Sequence, residues 1–197
     1  INGLLTLRGA WDKVREEPVL KFMVVAVTAY GMATLEGPML SLKSVNAIAH
    51  FTDWIIAHVH IGALGWNGFL TFAVLYWLIP RLWKTDLYSK KLANYHFWIG
   101  FMGIVFYAAS LYWAALTQSL MWKQFTPDGL LQYPNFLETV LQIIPMYVIR
   151  SIGGLLYLTG VVIMIYNLAK TAKSGSFEND EEAQAAPMNI EPVKEKG

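Results

Sequence analysis

Apolar residues gather in four long blocks, about 19–42, 53–79, 94–121 and 138–168, and charged residues, Pro and Gly return between them. Each block reaches the roughly 20 apolar residues that carry an α-helix across a bilayer. The uncharged run from Trp54 to Leu78 is far longer than a strand. Local punctuation agrees with helices. Arg15-Glu16-Glu17-Pro18 places acidic residues and a proline where the first helix starts, and Thr52-Asp53 offers a cap for the second, which is expected to stop at Pro80-Arg81. The third begins near Asn94 and gives way to Lys123 and the turn signal Pro127-Asp128-Gly129; the fourth carries Pro145 in its first third, which predicts a kink or a shifted start.

The pattern predicts an all-α, polytopic transmembrane bundle of four spanning helices over residues 19–170. Residues 1–18 form a cytoplasmic or interfacial segment. Leu4, Leu5, Leu7 and Trp11 among charged neighbours suit a short amphipathic helix on the membrane surface, with a solvated loop as the alternative. Residues 171–197, rich in Ser, Glu, Ala, Pro and Lys, are expected to form a disordered cytoplasmic tail. Sidedness follows from Lys and Arg in the flanks. Arg8, Lys13, Arg15 and Lys21, then Arg81, Lys84, Lys90 and Lys91, then Lys170 and Lys173 mark three cytoplasmic stretches, whereas the alternate flanks hold only Lys43 and Lys123. Both termini are therefore placed in the cytoplasm.

Composition narrows the class. Hydrophobic residues make up 55% of the 197 and charged ones 15%, well below the roughly 25% of soluble domains. A net charge of +1 with no basic block implies no nucleic-acid partner. The absence of Cys removes disulfides, thiolate catalysis, iron–sulfur clusters and covalent haem attachment. The chain opens with Ile and shows no signal-peptide pattern, so it is expected to begin partway through something larger.

The candidate chemistry centres on His58-Val59-His60, which lies inside the second block about 8–10 Å from its outer end at 1.5 Å per residue. Ionisable side chains in hydrocarbon are costly and mark functional sites. Residues i and i+2 of a helix stand roughly 200° apart, so the two imidazoles leave opposite faces and cannot easily share one metal. The arrangement suits a helix wedged between two haems, each taking one imidazole as axial ligand. The alternative is a pair of neutral rings hydrogen-bonded to neighbouring helices. Gly62, Gly65 and Gly68 follow at three-residue spacing, allowing close approach of a helix or a macrocycle.

Other polar residues offer supporting roles. Glu36, towards the outer end of the first block, is either a proton-transfer group or an interfacial carboxylate paired across helices. Tyr30 and Thr34 on the same block are hydroxyl carriers that could pass protons upward, or packing residues. Arg150 could neutralise haem propionates or snorkel to the interface. His50 and Asp53 could bond propionates or an outer cation, with capping as the simpler use of Asp53. His96 is expected to be structural, and Trp54, Trp113, Trp122 and Tyr133 to form an interfacial aromatic belt.

Several strings resemble a known family: Tyr30-Gly31-Met32, Glu36-Gly37-Pro38-Met39, Asn46 to His50, Thr52-Asp53-Trp54, Ala57-His58-Val59-His60 with Gly62-Ala63-Leu64-Gly65-Trp66, His96-Phe97-Trp98, and Val148-Ile149-Arg150 with Gly153-Gly154. Together they resemble the C-terminal third of the catalytic subunit I of cbb3-type cytochrome c oxidases, in the haem-copper oxidase superfamily. The resemblance implies a larger helix bundle in a bacterial cytoplasmic membrane. It further implies a high-spin haem b on His58 and a low-spin haem b on His60. Tyr30 and Glu36 would lie on the proton pathway, and Arg150, His50 and Asp53 near the propionates. It implies reduction of O2 to water coupled to proton translocation, with cytochrome c as donor, and as partners c-type cytochrome subunits, the remainder of subunit I and membrane lipid. The chain has only four histidines, His50, His58, His60 and His96, too few for the second axial ligand and three copper ligands as well. Copper ligands are therefore expected outside it. The large subunit of nitric oxide reductase and a non-catalytic haem-binding membrane cytochrome stand as alternatives.

Overall fold

The structure is a computed structural model and describes residues 2–9 and 11–177. Four of its helical stretches are long and apolar enough to cross a membrane. Two short helices, α1 (Asn2–Leu5) and α2 (Trp11–Glu16), precede the first span, α3 (Pro18–Ser41), whose first residue is the expected proline. A further short helix that the apolar pattern does not foretell, α4 (Lys43–Ala49), links it to the second span. Between them Phe51 takes a left-handed backbone with φ 67°. The second span is a composite of α5 (Asp53–His60), a π-helical stretch (Ile61–Gly68) and α6 (Phe69–Leu82), which runs through Pro80. Thr52 caps it, its hydroxyl accepting from the Trp54 amide at 3.2 Å.

The third span, α7 (Lys90–Trp122), starts one turn earlier than the apolar block because Ser89 caps it. After a turn in which Gly129 adopts φ 80°, α8 (Phe136–Ser174) runs unbroken through Pro145. It also continues past residue 168. Asn167 bonds both the amide and the carbonyl of Ser89, at 3.1 and 2.9 Å, and Thr171 accepts from the Tyr88 amide at 3.0 Å. These bonds tie the last turns of α8 to the loop before α7. The expected tail at 171–197 therefore begins inside a helix, and residues 178–197 lie outside the described residues.

The closest helix pair is α7 with α8, and glycine permits it. A Cβ on Gly103 would stand 2.7 Å from the Tyr157 amide nitrogen, and one on Gly153 would stand 2.6 Å from that of Tyr107. At this crossing the two backbones touch directly. Near its N-terminal end, α7 packs an aromatic core in which Phe22, Phe72 and Tyr76 surround His96, fully buried, with its Nδ1 3.1 Å from the Tyr76 hydroxyl. On the outside of α8 an apolar stripe, Leu141, Ile144, Val148, Ile152 and Leu155, stays exposed at helical spacing.

Two side chains support the π-helical stretch, one from α8 and one of its own. An i→i+5 bonding pattern widens the turn and leaves carbonyls poorly satisfied. Tyr157 on α8 donates to the Leu64 carbonyl at 3.0 Å, and the Asn67 side chain donates to the Gly62 carbonyl at 3.3 Å. Gly65 lets the stretch close on α3, where an added Cβ would sit 3.1 Å from that of Ala29.

The α7–α8 crossing yields a paired expectation. Gly153→Ala forces its methyl into the α7 backbone and should destabilise by about 1–3 kcal/mol or more. Gly154→Ala meets only the Tyr107 ring at 3.7 Å, an ordinary contact. Thermal retention of the detergent-solubilised complex should fall for the first variant and hold for the second.

Candidate functional site

The two histidines of α5 face different neighbours. His58 Nδ1 stands 3.3 Å from Oε2 of Glu36 on α3. His60 turns away from α3: its Nε2 lies 3.2 Å from the hydroxyl of Tyr107 on α7, and its Nδ1 is 2.7 Å from the Ile56 carbonyl. Both rings are partly buried. A carbonyl can only accept, so His60 carries its proton on Nδ1 and keeps the lone pair on Nε2. At His58 the same nitrogen, Nδ1, faces a carboxylate oxygen of Glu36. Each imidazole thus has one nitrogen held by an oxygen acceptor, the arrangement that orients metal-ligating histidines.

Glu36 is buried and its carboxylate is crowded with donors. Trp54 Nε1 donates to Oε1 at 2.6 Å, and the Tyr112 hydroxyl donates to Oε2 at 2.7 Å beside His58. The paired-carboxylate reading of Glu36 thus describes its contacts. Trp54 departs from the expected interfacial belt: its indole N–H is spent on this carboxylate, because a buried anion recruits every donor within reach.

Asp53 is also buried and bonded inward. Gln118 Nε2 and the Tyr147 hydroxyl donate to its Oδ2 at 3.0 and 2.8 Å, while its backbone amide donates to Gln118 Oε1 at 2.7 Å. It joins α5 to α7 and α8. Capping falls to Thr52. Arg150 Nε donates to the Tyr107 hydroxyl at 3.2 Å, and its guanidinium lies 5.3 and 5.6 Å from the Tyr107 and Tyr147 ring centres. A chain of contacts therefore runs from Arg150 through Tyr107 to His60. Tyr147 connects the same arginine to Asp53.

The remaining candidates stand apart. Tyr30 is exposed and packs on Trp66, with ring centres 4.4 Å apart, and makes no contact with Glu36. Thr34 is exposed as well. His50 is exposed and stacks on Phe51 at 3.9 Å. His96 lies in the aromatic core, away from the pair. Among the described residues no three His, Asp or Glu side chains converge to hold a metal ion by themselves. Sequence reasoning misses Tyr107, Tyr112, Gln118 and Tyr147. Their only signal is a hydrogen-bonding group inside an apolar run.

The site fits two porphyrins in the identity of its donors. The two imidazoles face different helices, Arg150 stands behind the Tyr107 hydroxyl that meets His60 Nε2, and Gly37 lies beside His58, where an added Cβ would come into ordinary contact with Cε1 at 3.9 Å.

Comparison with known proteins agrees with this geometry. A family model described as cytochrome C and quinol oxidase polypeptide I matches residues 1–156. The chain is 50% identical over 195 residues to a cytochrome c oxidase subunit 1 homolog of Agrobacterium tumefaciens, covering 98% of this chain and 36% of that protein. It is 43% identical over 188 residues to the Cbb3-type cytochrome c oxidase subunit CcoN1 of Stutzerimonas stutzeri, covering 94% of this chain and 40% of that one. A nitric oxide reductase polypeptide of Stutzerimonas stutzeri is more distant, 26% identical over 152 residues, covering 75% of this chain and 31% of the other. The chain spans between a third and two fifths of the length of the two oxidase relatives. It belongs to the cytochrome c and quinol oxidase polypeptide I family, the subunit I family of the haem-copper oxidases.

Proposed function

We propose that this chain is the haem-bearing part of the catalytic subunit of a proton-translocating cbb3-type terminal oxidase in a bacterial cytoplasmic membrane, with both termini in the cytoplasm. The observation that carries the reading is the pair His58 and His60 on one helix, each with Nδ1 facing an oxygen acceptor and the two rings facing different neighbours; at His60 an iron would replace the Tyr107 hydroxyl on Nε2. His58 would ligate a high-spin haem b and His60 a low-spin haem b. When bound, these haems supply the one-electron chemistry of O2 reduction, together with copper on ligands outside this chain, and cytochrome c supplies the electrons through c-type cytochrome subunits.

The residues of this chain divide the remaining work. Glu36 accepts the bond from His58, which strengthens the imidazole as a donor and holds the ring plane. Trp54 and Tyr112 hold that carboxylate in place. Arg150 orients Tyr107 and brings positive charge to the His60 side, where propionates need neutralising. Asp53 anchors that arginine's neighbour Tyr147 through Oδ2, and a place near the propionates stays its proposed use. His50 is exposed at the outer end and free of those bonds, so a propionate contact stays its proposed use. Proton delivery is assigned to Tyr30 and Glu36. They are separated by about 9 Å along α3 at 1.5 Å per residue, so ordered water must bridge them.

Single-histidine variants test the ligand assignment. His60→Ala should remove one b-type haem and the low-spin optical signature, and His58→Ala should remove the carbon monoxide-binding haem. Haem content by pyridine haemochrome and carbon monoxide difference spectra check this, and full haem occupancy in both variants rejects the assignment.

Glu36→Gln keeps the shape but removes the charge, and oxygen consumption should fall by about 10²-fold or more if the carboxylate handles protons. Trp54→Phe deletes one bond to that anion and should cost about 1.5–3 kcal/mol, read as a lower thermal midpoint of the complex.

A further inference from the structure

Along the seam between α3 and α7 a cleft opens at the N-terminal end of α3 and runs into the apolar interior. Its mouth, about 620 Å³, is bounded by Trp11, Arg15, Lys21 and Trp98 together with Asp12. Its continuation, about 360 Å³, shares Val24 and Val25 with the mouth and passes Met32 on α3 and Phe101 on α7 before ending at Tyr112. The two parts form one groove, charged at one end and hydrocarbon for the rest.

We propose that this groove binds one anionic glycerophospholipid, with the phosphate at Arg15 and Lys21 and an acyl chain between α3 and α7. Three features select that occupant. First, the mouth carries two cations against the single carboxylate of Asp12, and basic pockets between spanning helices at the cytoplasmic surface are suited to acidic headgroups. Lys21 donates to Asn94 on α7 at 2.5 Å, which holds the ammonium over the seam and leaves further N–H groups for a phosphate. Second, Trp11 and Trp98 are both exposed at the mouth, as indoles are at the headgroup level.

Third, the length matches a lipid rather than a protein helix. From Lys21 to Met32 α3 rises about 16 Å at 1.5 Å per residue. One leaflet of hydrocarbon is about 15 Å, half of the roughly 30 Å core, whereas a spanning helix needs a groove along the whole core. Along α7 the lining from Trp98 to Tyr112 rises about 21 Å at 1.5 Å per residue, an acyl chain's length that stops short of the roughly 30 Å core a spanning helix crosses.

The test uses the intact purified oxidase complex in nanodiscs containing a photoactivatable diazirine phosphatidylglycerol, with the matched phosphatidylcholine as control. Labelling should map to peptides of α3 and α7 that include Val25 and Phe101, and exceed the phosphatidylcholine signal about tenfold. Arg15→Glu with Lys21→Gln should reduce it about tenfold, with the haem spectra unchanged. Arg15→Glu alone, on the exposed face of the six-residue α2, guards against misfolding from the loss of the Lys21–Asn94 bond and should give a smaller reduction. Equal labelling by the neutral lipid, labelling unaltered by both variants, or none on these helices overturns the proposal. Because haem content is read on the same samples, failure here is distinguishable from failure of the oxidase reading.

Discussion

Two carboxylates, Glu36 and Asp53, sit buried inside an apolar bundle, away from bulk solvent. Burying an ionised group is tolerable only when hydrogen bonds replace its hydration. Glu36 on α3 takes donors from α5 and α7, and Asp53 on α5 takes donors from α7 and α8. Every spanning helix is therefore tied to at least one buried anion. A rotation of α7 by one residue would take Tyr112 from Glu36 and Gln118 from Asp53 together, so the carboxylates set the register of the helices as well as the posture of His58.

The π-helical stretch begins directly after His60 and divides the second span into two kinds of helix. Above it, ordinary α geometry fixes the angle between His58 and His60. Below it, the widened turn presents glycines to α3 and α8, so the span closes on both neighbours without altering the histidines. Tyr157 stabilises the widened turn from α8, and the same helix carries Arg150 towards Tyr107. The support for the bend and the support for the His60 side therefore reach the span on a single rigid element.

How much of this is readable beforehand depends on whether a signal is local. The four spans are legible because membrane crossing requires long uninterrupted apolar runs. The opposed histidines are legible because their spacing and the helical period fix the angle between them. Thr52 and Pro18 announce helix starts by chemistry confined to one turn. The second half of the site is not legible in this way. The hydroxyls of Tyr107, Tyr112 and Tyr147 bond groups 43 to 94 residues away along the chain, and a tyrosine in an apolar run looks the same whether its hydroxyl bonds locally or across the bundle. Trp54 misleads for the same reason: composition near a helix end suggests a belt residue, and only the position of Glu36 on another helix shows where its N–H goes. The π-helical stretch is hidden because its glycines also suit plain close packing.

The exposed surface of the chain sorts by the cost of its groups in hydrocarbon. The stripe on α8 from Leu141 to Leu155 is wholly apolar and loses nothing against lipid tails. The faces bearing His58, His60 and Arg150 are partly open in a chain that spans between a third and two fifths of its oxidase relatives' length. Polar nitrogen atoms at membrane depth cannot be left to lipid without a penalty of several kcal/mol each. The polar atoms of these faces are bonded within the bundle, His60 through Ile56 and Tyr107, and Arg150 through Tyr107, so the chain has one polar side and, along the α8 stripe, one apolar side. The groove at the α3–α7 seam falls between the two: apolar enough for a lipid tail, charged only at its mouth, and closed at Tyr112, whose hydroxyl already belongs to Glu36.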